Sequence, residues 1–409
     1  MFRHKIPVLH AFLAMGTMFC VAGWGQGQSY PPAASSETLI LDGKAMPLGG
    51  GQASDPAVFK LGSQWFMYFS TIGWRQSCAA THSYQYVVQM AAASLPPGAS
   101  LSASGSVWNI IPAAGGGYAA PIPLGATGAW DENGTETPQV VTGYDPTQGK
   151  TVTRLYYSGW RRVPVGTDAS GCPIPGYTEM KVGMAEWSSK CNCWNKRPTP
   201  VVDGSNMFER MHALLPNGTL TTYSIIGDES VVYIPGPGGG PGLWHMYYQA
   251  NTDASGVEVI TIHATSTDGV NWPAANRKIL NTRPPYPTSI LPAGPYHLGV
   301  SLMNGRLYFV GWIPGSTAAN QGLWVVSSST PDGSAAGDFS DWRPLLYDGD
   351  GVWWHDPGPD PTSHQLGLGG PTLVSDGSLL WLYYCGTRQD SSGNWVSVGR
   401  AQVDASIIH

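Results

Sequence analysis

Five times along the chain a short apolar strand is followed by a turn and then by a strand rich in aromatic residues. The first strands begin Asp55-Pro-Ala-Val-Phe, Glu136-Thr-Pro-Gln-Val-Val, Glu229-Ser-Val-Val-Tyr-Ile, His297-Leu-Gly-Val-Ser-Leu and Gly369-Gly-Pro-Thr-Leu-Val. Their partners are Trp65-Phe-Met-Tyr-Phe, Arg154-Leu-Tyr-Tyr, Leu243-Trp-His-Met-Tyr-Tyr, Arg306-Leu-Tyr-Phe-Val and Leu380-Trp-Leu-Tyr-Tyr. A hairpin recurring at intervals of roughly 70–90 residues is a structural repeat, because one such unit cannot bury its own apolar faces.

Each unit continues with a third strand of small and apolar residues, such as Val259-Ile-Thr-Ile-His-Ala. A turn and a tryptophan follow (Trp108, Trp194, Trp272, Trp342), then a fourth strand such as Arg277-Lys-Ile-Leu. Four-stranded units repeated five times predict an all-β fold, a five-bladed β-propeller of antiparallel blades. The fifth unit runs out of chain before its outer strand, and Thr38-Leu-Ile-Leu-Asp is the segment expected to supply it. That closure removes an exposed edge.

Composition agrees. Only 12% of residues are charged, while Gly (53), Pro (34) and Trp (17) are abundant, which suits turns and strands better than helices. A formal charge of −6 without any Lys/Arg run argues against a nucleic-acid partner. Arg3, His4 and Lys5 precede an apolar stretch to Ala22, so residues 1–28 read as a signal peptide. Residues 29–409 then form one domain, monomeric, secreted or periplasmic, with no membrane contact after cleavage. In an oxidising compartment Cys78 and Cys172 are the preferred disulfide pair. Cys191-Asn-Cys193 lacks the partners of a zinc site, and Cys385 is expected as a buried free thiol.

In a propeller the first strand of each blade lines a central channel, so Asp55, Glu136 and Glu229 are expected to converge at one mouth. Crowding and desolvation raise the pKa of one carboxyl and leave another ionised. Glycoside hydrolysis needs that division between a proton donor and a base.

At these residues the chain resembles the five-bladed propeller glycosidases, glycoside hydrolase family 43 with relatives in families 32 and 68. Ser54-Asp55-Pro-Ala-Val resembles the first-blade motif whose aspartate is the general base. Glu229-Ser-Val-Val resembles the third-blade motif whose glutamate is the general acid, with Ser-Val in place of the usual Gly-Pro. Glu136-Thr-Pro stands where the family has a tuning aspartate, and it also fits the shape of the acid motif. Asp228 takes either role if the register differs by one, and Asp131 is a second candidate for tuning. The resemblance implies a hydrolase acting with inversion on a carbohydrate substrate, arabinose- or xylose-containing polysaccharides foremost. A non-catalytic sugar-binding propeller and a phosphorylase or transglycosylase are the alternatives.

The resemblance implies no required cofactor. His297 is either a water-bonded channel histidine or the ligand of a channel ion, for which oxygen-rich surroundings would suit calcium. Trp74, Trp130 and Trp160 are candidate stacking surfaces for sugar rings. Arg75, Arg161 and Arg162 are candidate partners for hydroxyls or a carboxylate.

Overall fold

The computed structural model describes residues 31–46, 51–102, 107–114, 117–215, 218–252, 259–282, 295–313, 321–334, 337–355, 367–377, 379–390, 393–406 and 408. The expected signal peptide lies outside them. Among the described residues the fold is all-β, with 3-10 turns and no α-helix. The strands are β1 (Ala34–Leu41), β2 (Ser54–Leu61), β3 (Gln64–Cys78), β4 (Ser83–Ser94) and β5 (Asn109–Ile110). Next come β6 (Gly134–Asp145), β7 (Lys150–Thr167), β8 (Pro173–Ser188), β9 (Cys193–Lys196) and a small hairpin, β10 (Met211–Leu214) and β11 (Leu220–Tyr223). They continue with β12 (Ile226–Ile234), β13 (Leu243–Asn251), β14 (Val259–Ser266) and β15 (Arg277–Ile279). The last are β16 (Tyr296–Met303), β17 (Arg306–Ile313), β18 (Gly322–Ser328), β19 (Arg343–Tyr347), β20 (Leu368–Asp376), β21 (Leu379–Asp390) and β22 (Gly393–Val403).

β12–β15 and β16–β19 each form a four-stranded antiparallel sheet in chain order. β20, β21 and β22 form another, and its fourth strand is β1, with Thr38 opposite Arg400 and Leu39 opposite Gly399. The first two repeats depart from the expected separate units, because β2–β9 make one eight-stranded sheet. The cause is the length of β3 and β4. They run on past the last β2 pairing at Ser54–Ser70, while β5 pairs only Ala93 and Ser94. The bare edge of β4 bonds instead to the next repeat, Val88 N–H to Asn133 O at 3.0 Å, beside a parallel bridge from Val88 to Gly134. Among the described residues, hydrogen bonds between the separate sheets are isolated and form no continuous ladder that closes them into a ring. The five first strands nevertheless touch in a cycle: β2 meets β6, β6 meets β12, β12 meets β16, β16 meets β20, and β20 meets β2.

The aromatic strands explain how neighbouring sets hold together. Successive residues of a strand point to opposite faces. In Tyr247-Tyr248, Tyr248 joins the cluster with Tyr156, Met184 and Trp244, whereas Tyr247 joins Phe309 and Val326 in the next. Tyr156-Tyr157 and Tyr383-Tyr384 divide the same way. Each tyrosine pair therefore fills the space on both sides of its sheet. These rings are almost wholly buried, and each burial is worth about 1.5–3 kcal/mol.

Cys78 at the end of β3 is bonded to Cys172, in the turn after β7, so the two longest hairpins are tied at their tips. Cys191 and Cys193 also pair, within one turn, and Cys385 is buried and free. The Cys78–Cys172 bond closes a long loop, so Cys78→Ser with Cys172→Ser should lower unfolding stability by about 2–4 kcal/mol. Urea melts of both proteins measure this, and non-reducing peptide mapping should recover the linked fragment. An unchanged midpoint would show that the hairpins hold each other without it.

Candidate active site

All five first strands carry the same irregularity. Pairing with the second strand slips between Ser54 and Ala57, Glu136 and Gln139, Gly227 and Ser230, Tyr296 and Gly299, and Gly369 and Thr372. Within each bulge one residue is left-handed: Asp55 (φ 51°), Thr137 (49°), Asp228 (50°), His297 (50°) and Gly370 (51°). That conformation costs a residue with a Cβ about 1–3 kcal/mol, and bulges re-aim side chains at functional rims. The neighbouring set stabilises three of the five. Ser70 Oγ accepts the Thr137 N–H at 3.0 Å, and Ser158 Oγ accepts that of Asp228 at 3.0 Å. Gln249 Oε1 accepts the His297 N–H at 3.2 Å. At the seam between the last and first sets, a Cβ on Gly370 would stand 2.8 Å from Asp55 Cα, so only glycine fits there.

The bulges correct the expected equivalence. Glu136, Glu229 and Gly369 do not stand level with Asp55; Thr137, Asp228 and Gly370 do. The frame was visible in the prolines, since Asp55-Pro-Ala-Val matches Thr137-Pro-Gln-Val and Gly370-Pro-Thr-Leu. Glu136 precedes its bulge residue and Glu229 follows its own.

Asp55, Thr137, Asp228, Glu229, His297 and Gly370 line one pocket. Glu136 sits behind Thr137, outside the lining. Ser158 is the hub: its hydroxyl donates to Glu229 Oε2 at 2.8 Å and accepts from Thr137 Oγ1 at 2.5 Å. The other oxygen of Glu229 and Oε1 of Glu136 are buried without partners. Burial, and then the charges of Asp55 and Asp228, hold the Glu136 carboxyl well above the usual range. Burial does the same for Glu229; Ser158 opposes it, while Asp228 and Glu136 add to it. Asp228 is raised by burial, against the pull of His297, whose Nδ1 lies 3.8 Å from Asp228 Oδ2. Asp55 accepts from Ser54 Oγ at 2.9 Å, and Gln52 donates to that serine at 2.8 Å. The mouth thus holds two buried glutamates that favour the protonated form, beside more open aspartates.

The expected sugar-stacking rings divide. Trp160 is 3% exposed and packs with Val88, Met180 and Tyr86, so it is core and no floor for a substrate. Trp130 stacks on Tyr157 at 5.8 Å and donates its indole N–H to Pro198 O at 3.1 Å. Trp74, opposite Tyr86 on the β3–β4 hairpin, remains 51% exposed. Arg161 is paired with Glu179 at 2.8 Å, Arg162 covers the Tyr86 ring at 4.3 Å, and Arg75 is bonded to the carbonyls of Gly125 and Glu132. Asp131 is engaged by Lys196 at 2.6 Å and by the Tyr157 hydroxyl at 2.9 Å. All four are engaged with other parts of the protein, and none of them lines the pocket. Ser158 was missed from sequence because a serine in a Tyr-Tyr-Ser strand end carries no pattern of its own.

No family model and no curated protein matches the sequence. Solved structures do. A candidate glycosidase from Bacteroides thetaiotaomicron is 13% identical over 91% of this chain and 93% of its own, with a TM-score of 0.51. A structure from the GH130 family, which holds mannoside phosphorylases and glycoside hydrolases that target beta-1,2 mannosidic linkages in Candida mannan, is 13% identical over 88% and 86%, with a TM-score of 0.50. An alpha-L-arabinofuranosidase from Podospora anserina is 12% identical over 91% and 98%, with a TM-score of 0.49. In fold, the chain is similar to glycosidases of the propeller type.

Proposed function

We propose that the five strand sets are the blades of one five-bladed propeller, residues 29–409 of an exported protein, and that its channel mouth hydrolyses glycosidic bonds. One observation carries this reading: Asp55 and Glu229 line the same pocket, with Glu229 held by Ser158 and its proton affinity raised by burial first and then by Asp228 and Glu136. Glu229 donates its proton to the departing sugar oxygen. Asp55 takes a proton from the water that attacks the anomeric carbon from the opposite side, and the product inverts. Inversion requires room for that water, an acid–base separation of roughly 6.5–9.5 Å. Glu136 and Asp228 act through Glu229 by raising its proton affinity, and are positioning residues. His297 and Asp228 would hold a cation in the channel, where its charge would offset that of Asp228; the proton transfers do not run through it. The unpartnered Nδ1 of His297 suits such a site. Trp74 is the ring left open for stacking a sugar. Arabinose- and xylose-containing polysaccharides are the first substrates to screen, with β-mannosides second.

Asp55→Asn and Glu229→Gln should each lower kcat at least about 100-fold on a responsive substrate, with sugar binding retained. Proton NMR of the first-formed product should show the inverted anomer. Full activity in Asp55→Asn would remove the catalytic assignment; turnover only with added phosphate would make the protein a phosphorylase.

A stability test follows from the same acids. The folded-state pKa of Glu136 and of Glu229 lies above the unfolded value near 4.5. The folded chain therefore binds extra protons between the two values, and stability falls as pH rises through that window. Each unit of elevation is worth about 1.4 kcal/mol. Glu136→Gln and Glu229→Gln should then be more stable than the parent above the window and lose that advantage near pH 4. Urea midpoints across pH measure this, and equal pH profiles would show that the burial carries no such penalty.

A further inference from the structure

Another left-handed bulge lies on β1, the strand that completes the last sheet. Pairing of β1 with β22 slips between Ser35 and Thr38, and Ser36 takes a left-handed φ of 56°. The slip re-aims the next side chain. Glu37, only 11% exposed, accepts from His355 Nε2 at 2.9 Å and from the Tyr384 hydroxyl.

His355 has a seat made for it. A Cβ on Gly386 would stand 2.3 Å from the His355 Cβ, and one on Gly399 would stand 1.9 Å from the Trp354 ring. Trp354 lies 5.4 Å from Tyr384 and meets His355 edge-on at 4.7 Å. The His355 side chain is fully buried, with Nε2 also 3.6 Å from Asp350 Oδ1. Its Nδ1 is buried without a partner, as is Oδ1 of Asp348, whose charge acts on the imidazole. Asp350 is exposed and opens the group to solvent.

We propose that Glu37, Asp350 and His355 bind a divalent cation. Their ligand atoms lie within 4.8 Å of one another. Ligands about 2.0–2.2 Å from a tetrahedral zinc stand about 3.4 Å apart, and the two distances from Nε2, 2.9 and 3.6 Å, bracket that figure. One imidazole nitrogen with two carboxylates suits a borderline cation such as zinc or manganese better than calcium. Tyr384 orients the Glu37 carboxylate from outside the ligand set. The cation would tie β1 to the segment after β19, fastening the strand that completes the last sheet. None of these residues belongs to the pocket at the channel mouth.

The mature chain, stripped with a chelator and titrated with Zn²⁺ in a calorimeter, should bind one ion. At a hundredfold excess over Kd the melting temperature should rise by roughly 3–5 °C. Binding should be lost in Glu37→Gln and His355→Gln and kept in an Asp228→Asn/His297→Gln protein, which separates this ion from any in the channel. If the first two variants do not fold, Co²⁺ added to the parent should give a visible d–d band that Zn²⁺ abolishes. Either no bound Zn²⁺ and no cobalt band, or stoichiometry unchanged in folded Glu37→Gln and His355→Gln, overturns the proposal. A melting temperature that responds to pH and never to metal also overturns it, leaving an imidazolium ion pair.

Discussion

The left-handed bulge at the head of every first strand, its N–H held from the neighbouring set in three of the five, is the constraint on which the rest of this structure depends. An extended strand would turn alternate side chains toward the two flanking sheets. The bulge breaks that alternation at one level and turns Asp55, Thr137, Asp228 and His297 to a shared pocket. The strain of four non-glycine residues there is of the same order as the stability of many domains. At Thr137, Asp228 and His297 it persists because Ser70, Ser158 and Gln249 satisfy the strained amide from the adjoining set. The acceptors make each of these bulges a joint between neighbours. A change at one of them acts on two sets at once.

The same joints prepare the electrostatics. Ser158 binds the Asp228 amide, the Thr137 hydroxyl and the Glu229 carboxyl through one oxygen. A group placed for a structural reason thereby sets the position of the residue assigned as acid. The second oxygen of Glu229 and one oxygen of Glu136 have no protein partner, an arrangement that folding alone would not favour. Buried unsatisfied carboxyls beside other acids are a stability penalty that a purely structural protein has no reason to keep. That is why the mouth is read as a site of chemistry and the surrounding aromatics as its scaffold.

Repetition made the fold legible in the sequence. Five copies of one hairpin, and the Tyr-Tyr pairs within them, follow from period-two alternation that any strand obeys, and the missing outer strand pointed to Thr38–Leu41. The site was legible only to within one residue. Glu136 and Glu229 were legible as acids near the mouth, but a bulge consumes a residue without changing local composition, so the shared level fell on Thr137 and Asp228. Trp160 shows another limit. Its loop position suggested exposure, whereas the run of β3 and β4 past their own sheet covers it with Tyr86 and Val88. The join between the first two repeats, Val88 to Asn133, follows from strand lengths that a hydrophobic pattern does not encode.

The seam between the end and the beginning of the chain joins these arguments. There Gly370 stands where the other sets place a side chain, because Asp55 occupies the space. The residue assigned as base is therefore positioned by the last set of strands. That set is in turn completed by β1, through the pairing with β22 and through Glu37 with His355 and Tyr384. β1 is thus joined through β22, β21 and β20 to Gly370, which packs against Asp55. The surroundings of Asp55 therefore depend on the last sheet being complete, and a sheet completed by a strand from the other end of the chain has physical reason to fasten it with more than backbone hydrogen bonds.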